Sequence, residues 1–271
     1  MVDLHTHVLP GLDDGARTVE DSVALARAAG QVGTRVLVAT PHVRDDYPFD
    51  PSRVRSDVER LNRQFAEMAV SVGVVPGGEV SITKVLDLDE AELAGVCLGD
   101  GTYMLIESPY THTGELLEQA LFEAQLKGFQ PILAHPERSP CFLGDLHRLS
   151  RLVDRGILSS VTSGSMAGRF GGTVREYTAR LFEAGLVHNV ASDSHGVSSR
   201  APGLLAGFNA LEHELPGLRE QAVWYTNDVP SAVIAGEAVP PRPAALAPRR
   251  RRRRWTLRGV GRRSSAPQVI W

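Results

Sequence analysis

Short apolar runs recur along the chain at residues 2–4, 35–39, 71–75, 103–106, 131–134, 158–161 and 187–191. Each is short and rich in β-forming apolar residues, as strands are. Between most of them lie stretches with apolar residues near helical spacing, at 21–29, 53–69, 114–127, 145–155, 173–184 and 202–214. Strands alternating with helices predict an α/β fold with a parallel sheet, open or closed into a barrel. No tandem repeat is present.

The polar residues fall at the downstream ends of these runs. His5 and His7 follow the first, Thr40-Pro41-His42 the second, Gly77-Gly78-Glu79 the third and Glu107 the fourth. His135-Pro136-Glu137-Arg138 follows the fifth, Thr162-Ser163-Gly164-Ser165 the sixth and Ser192-Asp193-Ser194-His195 the seventh. Strand C-terminal ends form the catalytic face of parallel α/β barrels, so these separate segments are expected to converge. His5 and His7, two apart on an extended segment, point to one face. Five imidazoles (His5, His7, His42, His135, His195) and four carboxylates (Asp14, Glu79, Glu107, Asp193) exceed what one four-coordinate ion needs, which predicts a multinuclear metal site. The nitrogen and oxygen donor set suits manganese, iron or zinc, and Glu79 is placed to bridge ions.

Composition adds little until it is divided. At 271 residues, 42% hydrophobic and 23% charged, the chain has the make-up of a globular domain. Ten of its 29 Lys+Arg lie beyond residue 240, where there is no Asp or Glu, so all 32 acidic residues belong to the body. After residue 237 comes a proline-rich stretch and then six consecutive arginines, Arg249 to Arg254. Residues 1–237 therefore read as the domain and 238–271 as an extended or disordered basic tail. Such a tail would attract an anionic membrane or an acidic partner; without interleaved aromatics, nucleic acid is not the expected target. Two cysteines are too few for a disulfide framework, and no apolar run approaches a membrane span, so a cytoplasmic location is expected.

Two nucleophile patterns are not supported by the residues. A cysteine nucleophile needs an arginine six residues later, but Cys97 and Cys141 are followed at that distance by Tyr103 and His147. Asp87-Leu88-Asp89 lies in a charged segment rather than after a strand, and is read as helix capping. His147 and His213 are expected at the surface, His112 in a loop, and His188 in an orienting or core role.

In this order, Asp3-Leu4-His5-Thr6-His7, Leu12-Asp13-Asp14-Gly15-Ala16, Thr40-Pro41-His42, Gly78-Glu79-Val80, His135-Pro136-Glu137-Arg138 and Ser192-Asp193-Ser194-His195 resemble the polymerase and histidinol phosphatase superfamily. Leu9 to Ala16, Ala134 to Arg138 and Thr162 to Gly171 resemble more narrowly the CpsB/CapC-type manganese-dependent protein-tyrosine phosphatases of bacterial capsule and exopolysaccharide clusters. The resemblance spans residues 1–237. It implies a distorted (β/α)7 barrel with three metal ions, manganese foremost, at the strand C-terminal ends. By it, His42, Glu79 and His135 hold one ion, His5, His7, Glu79 and Asp193 a second, and Asp14, Glu107 and His195 a third, with Asp13 the alternative to Asp14. Arg138 binds phosphate. Ser139 and Ser194 stand where many relatives carry an aromatic residue and alanine.

The implied activity is hydrolysis of phosphotyrosine on the tail of a kinase that regulates surface polysaccharide, with peripheral residence at the inner membrane through that partner or the basic tail. Two alternatives stand beside it: a small-molecule phosphatase such as one acting on histidinol phosphate, and a metal-binding docking module without turnover.

Overall fold

Burial on both faces is what turns the apolar runs into strands. In the computed structural model, which describes residues 1–47, 50–198 and 200–246, every residue of β1 (Val2–Thr6), β6 (Tyr103–Glu107) and β8 (Leu158–Thr162) is buried. The remaining strands are β2 (Val36–Ala39), β3 (His42–Val43), β4 (Gly73–Pro76), β5 (Glu79–Val80), β7 (Gln130–Ala134) and β9 (Asn189–Ala191). All strand pairings are parallel, in the orders β1-β2-β4 and β3-β5-β6-β7-β8-β9.

Two of the predicted strand positions are broken in the middle. Between β2 and β3 lie Thr40 and Pro41, and between β4 and β5 lie Gly77 and Gly78. Proline has no amide hydrogen to give a ladder. At Gly77 a Cβ would come within 2.8 Å of Leu98 and 2.9 Å of Val38, so the chain passes too close for a side chain. With these pairs counted once, the described residues hold seven strand positions. The amide of Asp193 donates to the His5 carbonyl and that of His7 to the Ser194 carbonyl, both at 2.9 Å, which brings the exit of β9 back to that of β1. The result is a distorted parallel barrel with an interrupted ladder.

Helices wrap the outside: α1 (Val19–Gln31), α2 (Val54–Glu67), α3 (Ile82–Asp87), α4 (Glu90–Gly95), α5 (Gly114–Leu126), α6 (Leu146–Val153), α7 (Ser163–Met166), α8 (Gly172–Glu183), α9 (Leu205–Leu211) and α10 (Val229–Ala235). Helix α2 buries Val54, Val58, Leu61 and Phe65, one stripe at helical spacing. Asp89 and Glu92 form a reciprocal capping box at the start of α4, as the capping reading of Asp87-Leu88-Asp89 expects. The helix expected over 202–214 is only α9, and a π-helical turn, Trp224–Asp228, leads into α10. Among the described residues no helix is long and apolar enough to cross a membrane.

Residues 238–246, counted with the tail from sequence, run along the strand N-terminal ends. Tyr103, which opens β6, donates its hydroxyl to the Glu237 carbonyl at 2.9 Å. Arg242 donates to the Val187 carbonyl at 2.6 Å, lies 2.9 Å from His188 Nε2 and stacks over Trp224 at 5.4 Å. Residues 247–271, with the six arginines, lie outside the described residues.

Candidate metal centre

At the opposite end of the strands, all nine predicted ligand residues converge. Their donor atoms fall into four groups within 4.8 Å: His7, Asp14, His42 and His195; His5, His7 and Asp193; His5, Glu79 and His135; and His42, Glu79 and Glu107. Glu79 is central, with Oε2 3.1 Å from His5 Nε2 and from His42 Nδ1, and Oε1 2.7 Å from His135 Nε2. Glu107 groups with His42 and Glu79, while Asp14 Oδ1 sits 3.2 Å from His195 Nε2.

Local backbone geometry aims these side chains. His135 and Asp193, each just beyond a strand, adopt positive φ of 36° and 53°. A non-glycine residue in the left-handed region costs of order 1–3 kcal/mol and persists where its surroundings over-determine it. Gly15 does the same for the first loop, because a Cβ there would lie 2.3 Å from the His7 carbonyl oxygen. Without a side chain, the Asp13-Asp14-Gly15 loop folds directly onto His7.

That loop gives its two carboxylates different work. Asp13 Oδ2 lies 2.6 Å from His7 Nδ1 and accepts from the His42 amide at 3.0 Å, while Oδ1 accepts from the Gly15 amide at 2.9 Å. It fixes the ring of His7, whose other nitrogen faces the cluster. Asp14 reaches His195 and His42 instead. Asp3 braces the base of the site, accepting from the Ser192 amide at 3.0 Å, with burial pushing its carboxyl up to about 6.

The electrostatics are those of buried carboxylates and imidazoles that set one another's charge. Burial opposes ionisation of Glu79, but His5, His135 and His42 hold its carboxyl well below the usual range. Burial likewise opposes charge on Asp193, and His5, His7 and Arg138 outweigh it. Glu107 is pushed up to about 7 by burial and by neighbouring Glu79. His135 is driven down to about 4 by burial and Arg138, which keeps its ring in the neutral form that can donate a lone pair. On His7 burial opposes the proton, yet Asp13 and Asp193 raise it to about 10.

Several buried atoms also lack hydrogen-bond partners: His42 Nδ1, Glu79 Oε2, His135 Nδ1 and His195 Nε2. His5 Nε2 and His7 Nε2 face each other at 3.2 Å. Buried polar atoms are normally satisfied, so this concentration fits residues shaped for divalent cations.

Two arginines close over the cluster. Arg138 donates from Nη2 to Asp193 Oδ2 at 2.7 Å, and its guanidinium lies 4.7 Å from the Phe170 ring centroid. Its Nε is buried without a partner. Arg200 donates from Nη1 to the same Asp193 oxygen at 2.8 Å. The sequence reading missed Arg200, which sits in a polar loop with no periodicity to mark it. It also missed Tyr47, stacked on His42 at 5.3 Å, and Arg44, paired with Glu107 at 3.2 Å.

The Thr162-Ser163-Gly164-Ser165 segment joins none of these ligand groups. It binds Glu137 instead: the fully buried carboxylate accepts from the Thr162 amide at 3.0 Å, the Thr162 hydroxyl at 3.1 Å and the Ser165 hydroxyl at 2.6 Å. The segment thereby fixes the turn that presents Arg138. His112, His147 and His213 are exposed, and His188 is buried away from the cluster beside Arg242.

Residues 1–234 match the family described as capsular polysaccharide synthesis, CpsB/CapC. The chain is 40% identical over 201 residues to tyrosine-protein phosphatase YwqE of Bacillus subtilis, covering 74% of this chain and 79% of that one. With tyrosine-protein phosphatase CpsB of Streptococcus pneumoniae it shares 26% identity, over 88% of this chain and all of the relative. Among solved structures, one from work on YwqE of Bacillus subtilis and CpsB of Streptococcus pneumoniae, metal-dependent tyrosine phosphatases, superposes with a TM-score of 0.78 at 34% identity, covering 92% of this chain and 100% of that chain. A dihydropyrimidinase from Brevibacillus agri shares the fold alone, at a TM-score of 0.54 and 12% identity over 87% of this chain and 70% of its own. By sequence and by fold, the chain belongs to the CpsB/CapC family.

Proposed function

We propose that this protein is a cytoplasmic metal-dependent protein-tyrosine phosphatase acting on the phosphorylated tail of a tyrosine kinase that regulates capsule or exopolysaccharide production. The observation that carries the reading is one pole of the fold where nine imidazole and carboxylate side chains meet two arginines, beside a cavity of about 170 Å³. The relatives' names and the family description support it. Residues 1–237 form the catalytic domain in this reading, and the basic tail beyond serves attachment to an acidic or anionic surface.

By the resemblance, His42, Glu79 and His135 would hold one ion, His5, His7, Glu79 and Asp193 a second, and Asp14, Glu107 and His195 a third, with Mn2+ as the metal, although the Glu107 carboxylate lies with His42 and Glu79 rather than with Asp14 and His195. Divalent ions bound there would supply Lewis-acid charge that acidifies a water and neutralises phosphoryl oxygens. The chain's own contribution begins with Arg138, whose planar fork and unpaired Nε present permanently charged donors to two phosphoryl oxygens. Phe170 backs the guanidinium and Glu137 fixes its turn, so little ordering remains to be done on binding. Arg200 adds a second cation on the same side of Asp193. A tyrosine phenolate is a better leaving group than an alkoxide, because its conjugate acid has a pKa near 10, so the reaction needs no dedicated general acid.

Purified protein should release phosphate from a phosphotyrosine peptide with added Mn2+, and should do so faster than from histidinol phosphate. Chelation, or His135→Ala, should abolish release. Activity that survives both treatments rejects the assignment.

A further inference from the structure

The phosphoryl cavity is too small for more than the phosphate and its aryl ring, so the polypeptide on either side of a phosphotyrosine must leave it across the surface. Among the described residues, three larger cavities adjoin it. One, of about 450 Å³, touches it only through Asp14 and is walled by Asp13, Asp14 and Asp21. Another, of about 480 Å³, shares Arg44 and Tyr47. The third, of about 520 Å³, shares four walls with it: Arg44, Asp46, Glu107 and Tyr110.

We propose that this third cavity is the groove for the peptide flanking the phosphotyrosine, running from Tyr110 over an apolar floor of Ile82, Pro109 and Leu116. The inference rests on the phosphatase reading above and adds the surface that would recognise a polypeptide substrate. Its floor is apolar, while Thr83, Thr111 and Thr113 place hydroxyls around it that can meet an extended backbone. The charged groups along its wall are already spent on one another. Arg44 pairs with both Asp46, at 2.9 Å, and Glu107, at 3.2 Å, and Lys84 pairs with Asp45. A groove so composed suits a substrate with small or apolar residues beside the phosphotyrosine rather than a cluster of like charge.

The wall is also preformed. Tyr110 is 52% exposed, yet its ring stacks on His135 at 5.7 Å. The loop that carries it is tied from behind to the segment after Arg138: the Ser139 hydroxyl donates to the Pro109 carbonyl at 2.5 Å, and the Cys141 thiol to that of Thr111 at 3.1 Å. Ser139 is thus a tether between the phosphate-binding segment and the groove wall.

Thr83 and Thr113 are exposed on the groove's lip, so Thr83→Trp and Thr113→Trp would fill it without entering the core. With Mn2+-loaded full-length protein, each change should raise KM for a nine-residue phosphotyrosine peptide at least fivefold. It should leave kcat/KM for p-nitrophenyl phosphate within twofold and the thermal midpoint unchanged. Equal effects on both substrates, or none on the peptide, overturn the groove. Fluorescence anisotropy with a non-hydrolysable phosphonate analogue supplies the second arm. The wild-type chain should bind the analogue within a peptide at least tenfold more tightly than the isolated amino acid, and both variants should lose that advantage. Equal affinity of peptide and amino acid rejects the proposal. Absence of both aryl-phosphate turnover and analogue binding rejects the phosphatase reading itself, and the groove with it.

Discussion

Asp13 and Asp14 are neighbours in the chain with opposite assignments in space. Asp13 is spent on His7 and two backbone amides, whereas Asp14 faces His195 and His42. Asp13→Asn keeps the shape but replaces the charged acceptor that fixes the His7 ring, so metal affinity should fall about 10- to 100-fold, read by Mn2+ titration of the purified chain. A smaller effect than that of Asp13→Ala is expected, and equal affinity to wild type would remove Asp13 from the site. Glu137 acts at one further remove, through Arg138. Glu137→Gln should lower kcat/KM for aryl phosphates by an order of magnitude with bound Mn2+ stoichiometry intact; loss of metal would instead place Glu137 within the ligand set. Sequence could mark eight of the nine ligand residues because each stands at or just beyond the end of an apolar run; Asp14, in the first loop, is the exception. Asp13 against Asp14 was not legible, since the choice depends on how closely Gly15 lets the loop approach His7. Arg200 was not legible either, being brought in by a loop rather than by a strand.

At the scale of elements, the strands were readable because parallel strands buried on both faces leave uninterrupted apolar runs. Their breaks were not readable as breaks. Pro41 and Gly77-Gly78 look like loop residues after a strand, and only the pairing of His42 with Glu79 in β3 and β5 shows that the chain resumes the sheet beyond them. This resumption places His42 and Glu79 on strands rather than on loops, which suits residues that must hold fixed separations. The first loop depends on a similar close approach. Gly15→Ala would push a methyl into the His7 backbone, and we expect a loss of about 1–3 kcal/mol in urea denaturation, together with weakened metal binding. The same change with no effect on stability would show that the loop can move aside. Residues 238–246 were assigned to the tail because proline and charge dominate them. Burial of one guanidinium against Trp224 and one carbonyl was beyond what composition reveals.

For the molecule as a whole, the Arg242 contact has a thermodynamic signature. Burial, and then Arg242, lower the His188 pKa to about 3, so the folded chain keeps this ring neutral where the unfolded chain protonates near 6.5. The unfolded state then binds the extra proton, and stability is lost as pH falls from about 6.5 toward 3. Thermal midpoints of wild type and His188→Gln should therefore converge between pH 7.5 and 4.5, with wild type higher at the upper end. Parallel curves would show that His188 does not contribute to the acid limb. The anchoring of residues 237–242 has a further, directional consequence. They lie across the strand entrances, at Tyr103 and Val187-His188, whereas the ligand cluster lies at the strand exits. The last described contacts of the chain are thus held at its back, away from the mouth of the site, so a probe attached at residue 242 should report on the strand entrances and not on substrate. Removing residues 247–271 should leave kcat and KM on soluble peptides unchanged; a change in either would show that those residues reach the ligand cluster.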